Sequence, residues 1–238
     1  MALSTKVSLH EAWTGEADCR TCKLRDSVLF AGLEESDFEK IHDPISQIIL
    51  NPGEILYRGG DKGKNLYTLR SGLIKLVRYL PDGTQRIVRL VSPSDVIGLE
   101  TLLDQPYEHE ALAMQSCEIC CLPVQVVREL SRHNPTLHHE LLNRWQRALS
   151  DADAWLTELS TGSARHRVAR LILRLSDGGP GQPECRLFSR EDLGAMLGIT
   201  TETASRTIAD FKRHSLLVET HANHFLLDLP NLQRIADD

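Results

Sequence analysis

The chain is poor in aromatic residues, which make up 5% of its 238 residues, and it has only three methionines. Long apolar runs are missing as well. None approaches the roughly 18 residues that a membrane-spanning helix needs, so a spanning protein is not expected. The stretch Met1 to Glu16 has neither the apolar centre nor the cleavage site of a secretory leader. A cytoplasmic location is the expectation that follows. There is no excess of positive charge either: 27 basic against 33 acidic residues leave a formal charge of −6. A protein coated in positive potential is thereby excluded, though a local nucleic-acid face is not. The deficit is uneven. Ten basic and ten acidic residues follow Gly162, whereas the first 162 residues hold 17 against 23. The last third is thus where an anionic partner meets least opposition. Six cysteines in such a chain read as thiols or metal ligands rather than as disulfides.

Enzyme signatures are also absent. No H-E-x-x-H, Gly-rich phosphate loop or G-x-S-x-G occurs. A cupin-like metalloenzyme needs a His-x-His pair on one strand, but His109 stands alone and His133, His138 and His139 lie at a helix start. A C-x-x-C oxidoreductase needs its motif at a helix N-terminus after a strand, and no strand precedes Cys19. The chain is not expected to be an enzyme.

What is present falls into a β part and a helical part, an α+β chain. From about Phe30 to Pro123, glycines at 53, 59, 60, 63, 72, 83 and 98 punctuate short apolar stretches. Many short strands with glycine turns predict a sandwich, barrel or jelly roll. A hairpin is expected between Leu73 and Val91, turning at Asp82-Gly83, where Asp-Gly supplies positive φ angles. After Pro135 the period changes. Leu141, Trp145, Ala148, Ala152, Trp155 and Leu159 are spaced 4, 3, 4, 3, 4, an uncharged a/d seam. Leu142, Leu149 and Leu156 make a second row at spacing seven, leaving Arg144, Arg147, Asp151, Asp153 and Glu158 as the exposed remainder. With two apolar rows, the helix is expected to pack on its own domain and on a second copy, the first row serving as the homodimer interface. An ordinary core helix is the alternative.

Thr161-Gly162-Ser163 reads as a hinge. Beyond it, Ser189 followed by acids fits a helix N-cap, with Asp192 in the place of the usual Glu/Gln. Gly198-Ile199-Thr200 is a tight turn, and a second helix over about 201–214 buries Ala204, Ile208 and Phe211. Leu216 to Val218 and Phe225 to Leu227 pair as a small hairpin. Two short helices joined by a glycine turn and followed by a hairpin describe a winged helix-turn-helix, whose second helix enters the major groove of double-stranded DNA. Its N-terminal residues are Thr200, Thr201, Glu202, Thr203, Ser205 and Arg206. Glu202 and Arg206 share one face; Glu accepts from cytosine N4 and Arg reaches guanine O6 and N7. The same spacing also fits a plain exposed ion pair. Lys212 and Arg213, at the far end, are expected to meet phosphates.

The segment Phe188 to Phe211, centred on Glu202-Thr203-Ala204-Ser205-Arg206, resembles the recognition unit of the Crp/Fnr family of bacterial transcription regulators. Tyr67 to Lys75 resembles the family's β-roll core, and the long seam resembles its dimerisation helix. The resemblance covers nearly the whole chain. It implies a cyclic-nucleotide-binding-type β-roll over 30–134 behind a cysteine-containing segment 1–29, a dimerisation helix over 135–162, and a winged helix-turn-helix over 163–238. A Glu–Ser–Arg reader resembles the Fnr branch, which implies palindromic half-sites of the TTGAT type. A contact to RNA polymerase at the hairpin tip, Leu80 to Gln85, is implied in the same way.

The sensor departs from the family in two places. Members that bind cyclic AMP carry an Arg on the phosphate. Here the corresponding run is Asp95 to Glu100, then Tyr107-Glu108-His109-Glu110-Ala111, with no Arg and with acids that repel a phosphate. Cyclic AMP is not expected to bind; another small ligand in the roll stays open. The Fnr branch holds a 4Fe–4S cluster on three N-terminal cysteines and one strand cysteine. Cys19, Cys22 and Cys120 match three of these positions, but Val28 stands at the fourth. The options are an iron–sulfur cluster with Cys117, Cys121, Asp18 or Asp26 as substitute ligand, zinc or another metal, a thiol switch, or no cofactor. Strand alternation sets Cys117 and Cys121 on the face opposite Cys120, where burial as small apolar residues is expected.

Overall fold

The computed structural model describes residues 46–176 and 183–237, together with Leu29. Cys19, Cys22, Val28, Asp18, Asp26 and the segment 177–182 lie outside the described residues. The chain forms two compact units, one made of the chain up to Arg78 with Arg89–Ser150, the other of Tyr79–Val88 with Asp151–Asp238.

The β part of the chain forms two four-stranded antiparallel sheets. Its strands are β1 (Ser46–Leu50), β2 (Ile55–Tyr57), β3 (Asn65–Ser71), β4 (Ile74–Tyr79), β5 (Gln85–Val91), β6 (Val96–Ile97), β7 (Glu110–Ala113) and β8 (Cys117–Pro123). One sheet has the order β1-β8-β3-β6 and the other β2-β7-β4-β5. The period-two rule explains how β8 is used. Cys120 and Leu122 join Leu66 and Val96 in an apolar cluster closed by Val124, Val127, Leu130, Leu137 and Leu141 of the following helices, and by Leu29. Cys117, Ile119 and Cys121 lie on the other face of the strand and are buried there. The β4–β5 turn forms as expected, with one difference: Gly83 alone takes a positive φ, 81°, while Asp82 accepts the Thr84 N–H at 2.9 Å.

Helix α1 (Val124–His133) follows β8 directly, a helix that composition alone did not reveal because no turn residue separates it from the strand. Helix α2 (Pro135–Leu159) then runs for 25 residues. Its two apolar rows have different fates from those expected. Leu141 and Leu159 are buried within the single chain. Leu142, Leu149 and Leu156 stay 54%, 55% and 65% exposed, and Trp145 37%. With Ala152, also exposed, they are spaced 3, 4, 3, 4 along one uncovered stripe. Arg144 is not on the exposed remainder. It is buried, donating to Ser94 O at 2.5 Å and to Glu140 Oε1 at 2.6 Å.

The second unit continues with α3 (Ala164–Arg174), β9 (Glu184–Arg186), α4 (Arg190–Leu197), α5 (Thr201–Arg213), β10 (Leu217–His221), β11 (His224–Leu227) and α6 (Leu229–Asp237). The small sheet has the order β10-β11-β9. Sequence reading missed β9, which is three residues long and shows no period, and α6, which follows the hairpin without a glycine or proline break ahead of it. Arg170 ties three elements of this unit together, donating to the carbonyls of Glu158 at 3.2 Å, Thr161 at 3.1 Å and Ala236 at 2.8 Å.

Candidate nucleic-acid interface

Local chemistry sets the helix pair. Ser189 caps α4, its Oγ accepting the Asp192 N–H at 3.0 Å and donating to the Asp192 carboxylate at 2.8 Å. Gly198 ends α4 in the left-handed region, φ 63°. Thr200 caps α5, its hydroxyl accepting the Thr203 N–H at 3.1 Å. One face of α5 buries Ala204, Ile208 and Phe211 completely or nearly so. The other presents Thr201, Glu202, Ser205 and Arg206, all exposed, next to the positive end of the helix dipole.

Two arginines of α3 position this pair, and sequence reading did not single them out. Arg167 donates to Leu197 O at 2.6 Å, satisfying an orphan carbonyl at the end of α4. Arg165 pairs with Asp210 of α5 and lies over the Phe211 ring, 5.2 Å from its centroid. The available signal was four arginines, at 165, 167, 170 and 174, on one short helix.

Glu202 and Arg206 do form an ion pair, at 3.8 Å, with both side chains more than 70% exposed. Such a pair is worth only about 0.2–0.5 kcal/mol in water. A bidentate base contact is worth about 1–3 kcal/mol, so opening the pair is no barrier to reading DNA. At the other end, Lys212 is engaged within the domain, paired with Glu219 of β10 and 6.0 Å from the Phe225 ring centroid. The Lys212 partner also holds the Glu219 carboxyl below its ordinary range, first through their hydrogen bond. Arg213 pairs with Asp210 at 3.3 Å yet remains 74% exposed.

The thiols occupy separate places. Cys120 lies in the apolar cluster with Leu29, seven residues after Cys22. Directly opposite Cys120 in the β3–β8 ladder is Thr68, whose hydroxyl is buried with no hydrogen-bond partner among the described residues. An orphaned hydroxyl there is a costly feature that a sulfur anion or bound group would satisfy. Cys117 and Cys121 are not brought to Cys120. Cys117 donates to Leu73 O and Gln115 O at 3.4 and 3.2 Å, and burial pushes both thiols up, keeping them protonated at neutral pH. Cys185 is buried on β9 in the other unit. No group of three or more metal-ligating side chains is present among the described residues.

Residues 47–134 match the cyclic nucleotide-binding domain, and residues 166–235 match the Crp-like helix-turn-helix domain. The chain is 27% identical over 227 residues to transcriptional activator protein Anr of Pseudomonas aeruginosa, covering 93% of each chain. It is 27% identical over 209 residues to the fumarate and nitrate reduction regulatory protein of Vibrio cholerae, covering 84% of this chain and 82% of that one. The structure is similar to that of a CRP-family transcriptional regulator from Thermus thermophilus, with TM-score 0.70 and 27% identity over 80% of this chain and 97% of that one. No described helix is long and apolar enough to cross a membrane. One kind of regulator accounts for both halves of the molecule, and the chain belongs to the Crp/Fnr family of DNA-binding transcription regulators.

Proposed function

We propose that the protein acts as a homodimer that reads a palindromic, TTGAT-like DNA site and responds to redox state or oxygen through Cys19, Cys22 and Cys120. The observation that supports the reading most is the exposed face of α5, with Glu202, Ser205 and Arg206 side by side over a buried apolar face. The stripe of Leu142, Trp145, Leu149, Ala152 and Leu156 supplies the dimer contact, in place of the Leu141 and Leu159 ends of the other row. Trp155 serves its own subunit, its ring 6.0 Å from the Arg174 guanidinium, which also pairs with Asp151 and Glu158. Two copies then place two reading helices on two half-sites. The exposed tip of the β4–β5 hairpin, Leu80 to Thr84, is the surface offered to RNA polymerase.

Arg206→Ala is expected to weaken specific binding by about 1–3 kcal/mol and to relax preference at one base pair per half-site. Arg213→Ala should weaken all sequences alike and flatten the salt dependence, and Lys212→Ala should do less because Glu219 already offsets its charge. Binding measured on a set of singly substituted sites checks both. Unchanged base preference in Arg206→Ala would remove the reader assignment.

The signal side rests on three thiols. Cys120 with its neighbouring Thr68 hydroxyl, and Leu29 packed beside it, suit a thiolate-held group on this face. An iron–sulfur cluster would supply oxygen-labile, thiolate-ligated iron there. The residues provide three thiolates and not four, because Val28 takes one position and Cys117 and Cys121 face the other way. A standard four-cysteine cluster does not fit this set. The relative named for fumarate and nitrate reduction supports a redox signal nonetheless. Iron, sulfide and zinc content after anaerobic purification tests this. Cys19→Ser/Cys22→Ser and Cys120→Ser are each expected to lose whatever metal or reversible thiol oxidation the parent shows. Full retention in the double variant defeats the assignment.

A further inference from the structure

The β-roll contains three tyrosines that no part of the DNA-reading argument uses. Tyr57 of β2, Tyr67 of β3 and Tyr107 ahead of β7 are all more than nine-tenths buried. Tyr57 and Tyr107 stack at 3.9 Å between ring centroids, 19° from parallel, and Tyr67 stacks on Tyr57 at 5.6 Å. Tyr107 is held at both ends. Its phenol donates to Asn65 O at 2.8 Å, and its backbone bonds to Gly60 and Asp61.

The surroundings are shaped to the Tyr107 ring. A Cβ on Gly63 would stand 2.9 Å from Tyr107 Cζ, and one on Gly98 would stand 3.1 Å from its Cε1. Gly98 also has φ 81°, which favours glycine on its own account. Gly98 lies within, and the Tyr107 ring against it beside, the run Asp95 to Glu100, the stretch that corresponds to the phosphate-binding segment of cyclic-AMP-binding relatives. One backbone donor beside the run is already engaged. The N–H of Glu108 donates to the Glu100 carboxylate at 3.2 Å. Burial, with Glu100 contributing, raises the phenols of Tyr57 and Tyr107 far above neutrality, so they stay uncharged. The stack is therefore a neutral aromatic filling with a resident carboxylate beside it.

We propose that Tyr107 closes the effector cavity of the roll. Stacked on Tyr57 and seated against Gly63 and Gly98, it makes the roll interior a filled scaffold that takes neither a cyclic nucleotide nor another small ligand. The inference does not rest on the DNA-reading assignment, and it directs the search for the signal away from the roll interior and toward the Cys120 face of the sheet.

The test has two arms. Calorimetric titration of the full-length protein with cyclic AMP and cyclic GMP is expected to show no binding below millimolar concentration; micromolar binding of either overturns the proposal. In Tyr107→Gly the ring leaves a cavity of its own shape, and the melting temperature is expected to fall by about 10 °C or more. Added p-cresol, which is the missing side chain, should refill the cavity and recover several degrees, while leaving the parent protein unchanged. Tyr107→Phe keeps the ring and loses only the phenol's hydrogen bonds, to Asn65 O and with Tyr67, so it should melt nearer the parent than Tyr107→Gly and ignore p-cresol. If Tyr107→Gly does not fold, the parent and Tyr107→Phe still decide. Uptake of p-cresol or a cyclic nucleotide by either shows an open cavity and ends the proposal, as does a Tyr107→Gly protein that melts like the parent.

Discussion

Leu149→Glu is expected to give a folded monomer that no longer retains its specific DNA site at micromolar concentration. Leu149 is 55% exposed on α2, so the substitution costs the isolated subunit little. In a paired seam the same side chain sits opposite its counterpart with Leu142, Trp145 and Leu156 above and below. Two carboxylates would then be desolvated together without a partner. Leaving one buried charge unpaired costs about 3–5 kcal/mol. That shifts a dissociation constant by two to three orders of magnitude or more. Loss of the dimer also separates the two reading helices, so the second half-site no longer adds to affinity. Sedimentation and DNA retention on the same preparation give the answer, and a dimer persisting at 1 μM, as about the working concentration, would sink the seam assignment. Leu141→Ala offers the contrast. Leu141 is part of the cluster under the β3–β8 sheet. Its loss should cost about 2–5 kcal/mol of unfolding free energy and leave the dimer intact.

Gly194→Val is expected to abolish sequence-specific binding, by a hundredfold or more, while the dimer persists. Gly194 is buried inside α4, and a Cβ there would come 2.7 Å from Ile199 O and 3.5 Å from Thr201 N. Those atoms are backbone, in the turn that aims α5, so neither can swing aside. Valine adds two further carbons in the same space. Overpacking of this kind costs about 1–3 kcal/mol and more when backbone must move. Here the movement falls on the cap at Thr200 and the first turn of α5, which carries Glu202, Ser205 and Arg206. A positioning error of about 1 Å is enough to lose directed hydrogen bonds to base edges. Gly194→Ala should show the same defect in milder form. Wild-type affinity in Gly194→Val, measured on a single palindromic site, would mean that α5 is not the reader.

The helix-turn-helix was legible in the residues because its signals are local. Ser189 and Thr200 are caps, Gly198 is a stop, and Ala204, Ile208 and Phe211 recur at helical spacing; each acts within one turn of chain. The sides of β8 were legible for the same reason, since alternation puts Cys120 and Cys117 on opposite faces whatever else the strand touches. The seam of α2 shows where such reading fails. Two apolar rows were visible, but periodicity is blind to which one a neighbouring layer covers. Only the packing of Leu141 beside Leu130 and Leu137, and the burial of Leu159, decided that the Leu142–Leu149–Leu156 row is the uncovered one. Arg144 carries the same lesson: a charge on a helix reads as solvent-facing until the Ser94 carbonyl and Glu140 are placed around it.

By itself, then, the sequence determined the division into a β part and a helical part, the capped and glycine-stopped helix pair, and the residue types on its reading face, because these depend on contacts between near neighbours in the chain. Tertiary structure alone decided which stripe of α2 is bare, that Thr68 lies opposite Cys120 with no partner among the described residues, and that Tyr107 meets Tyr57 and Tyr67, about 50 and 40 residues earlier, in one stack. Those facts depend on strand register and on how layers close over one another, and no local period encodes either.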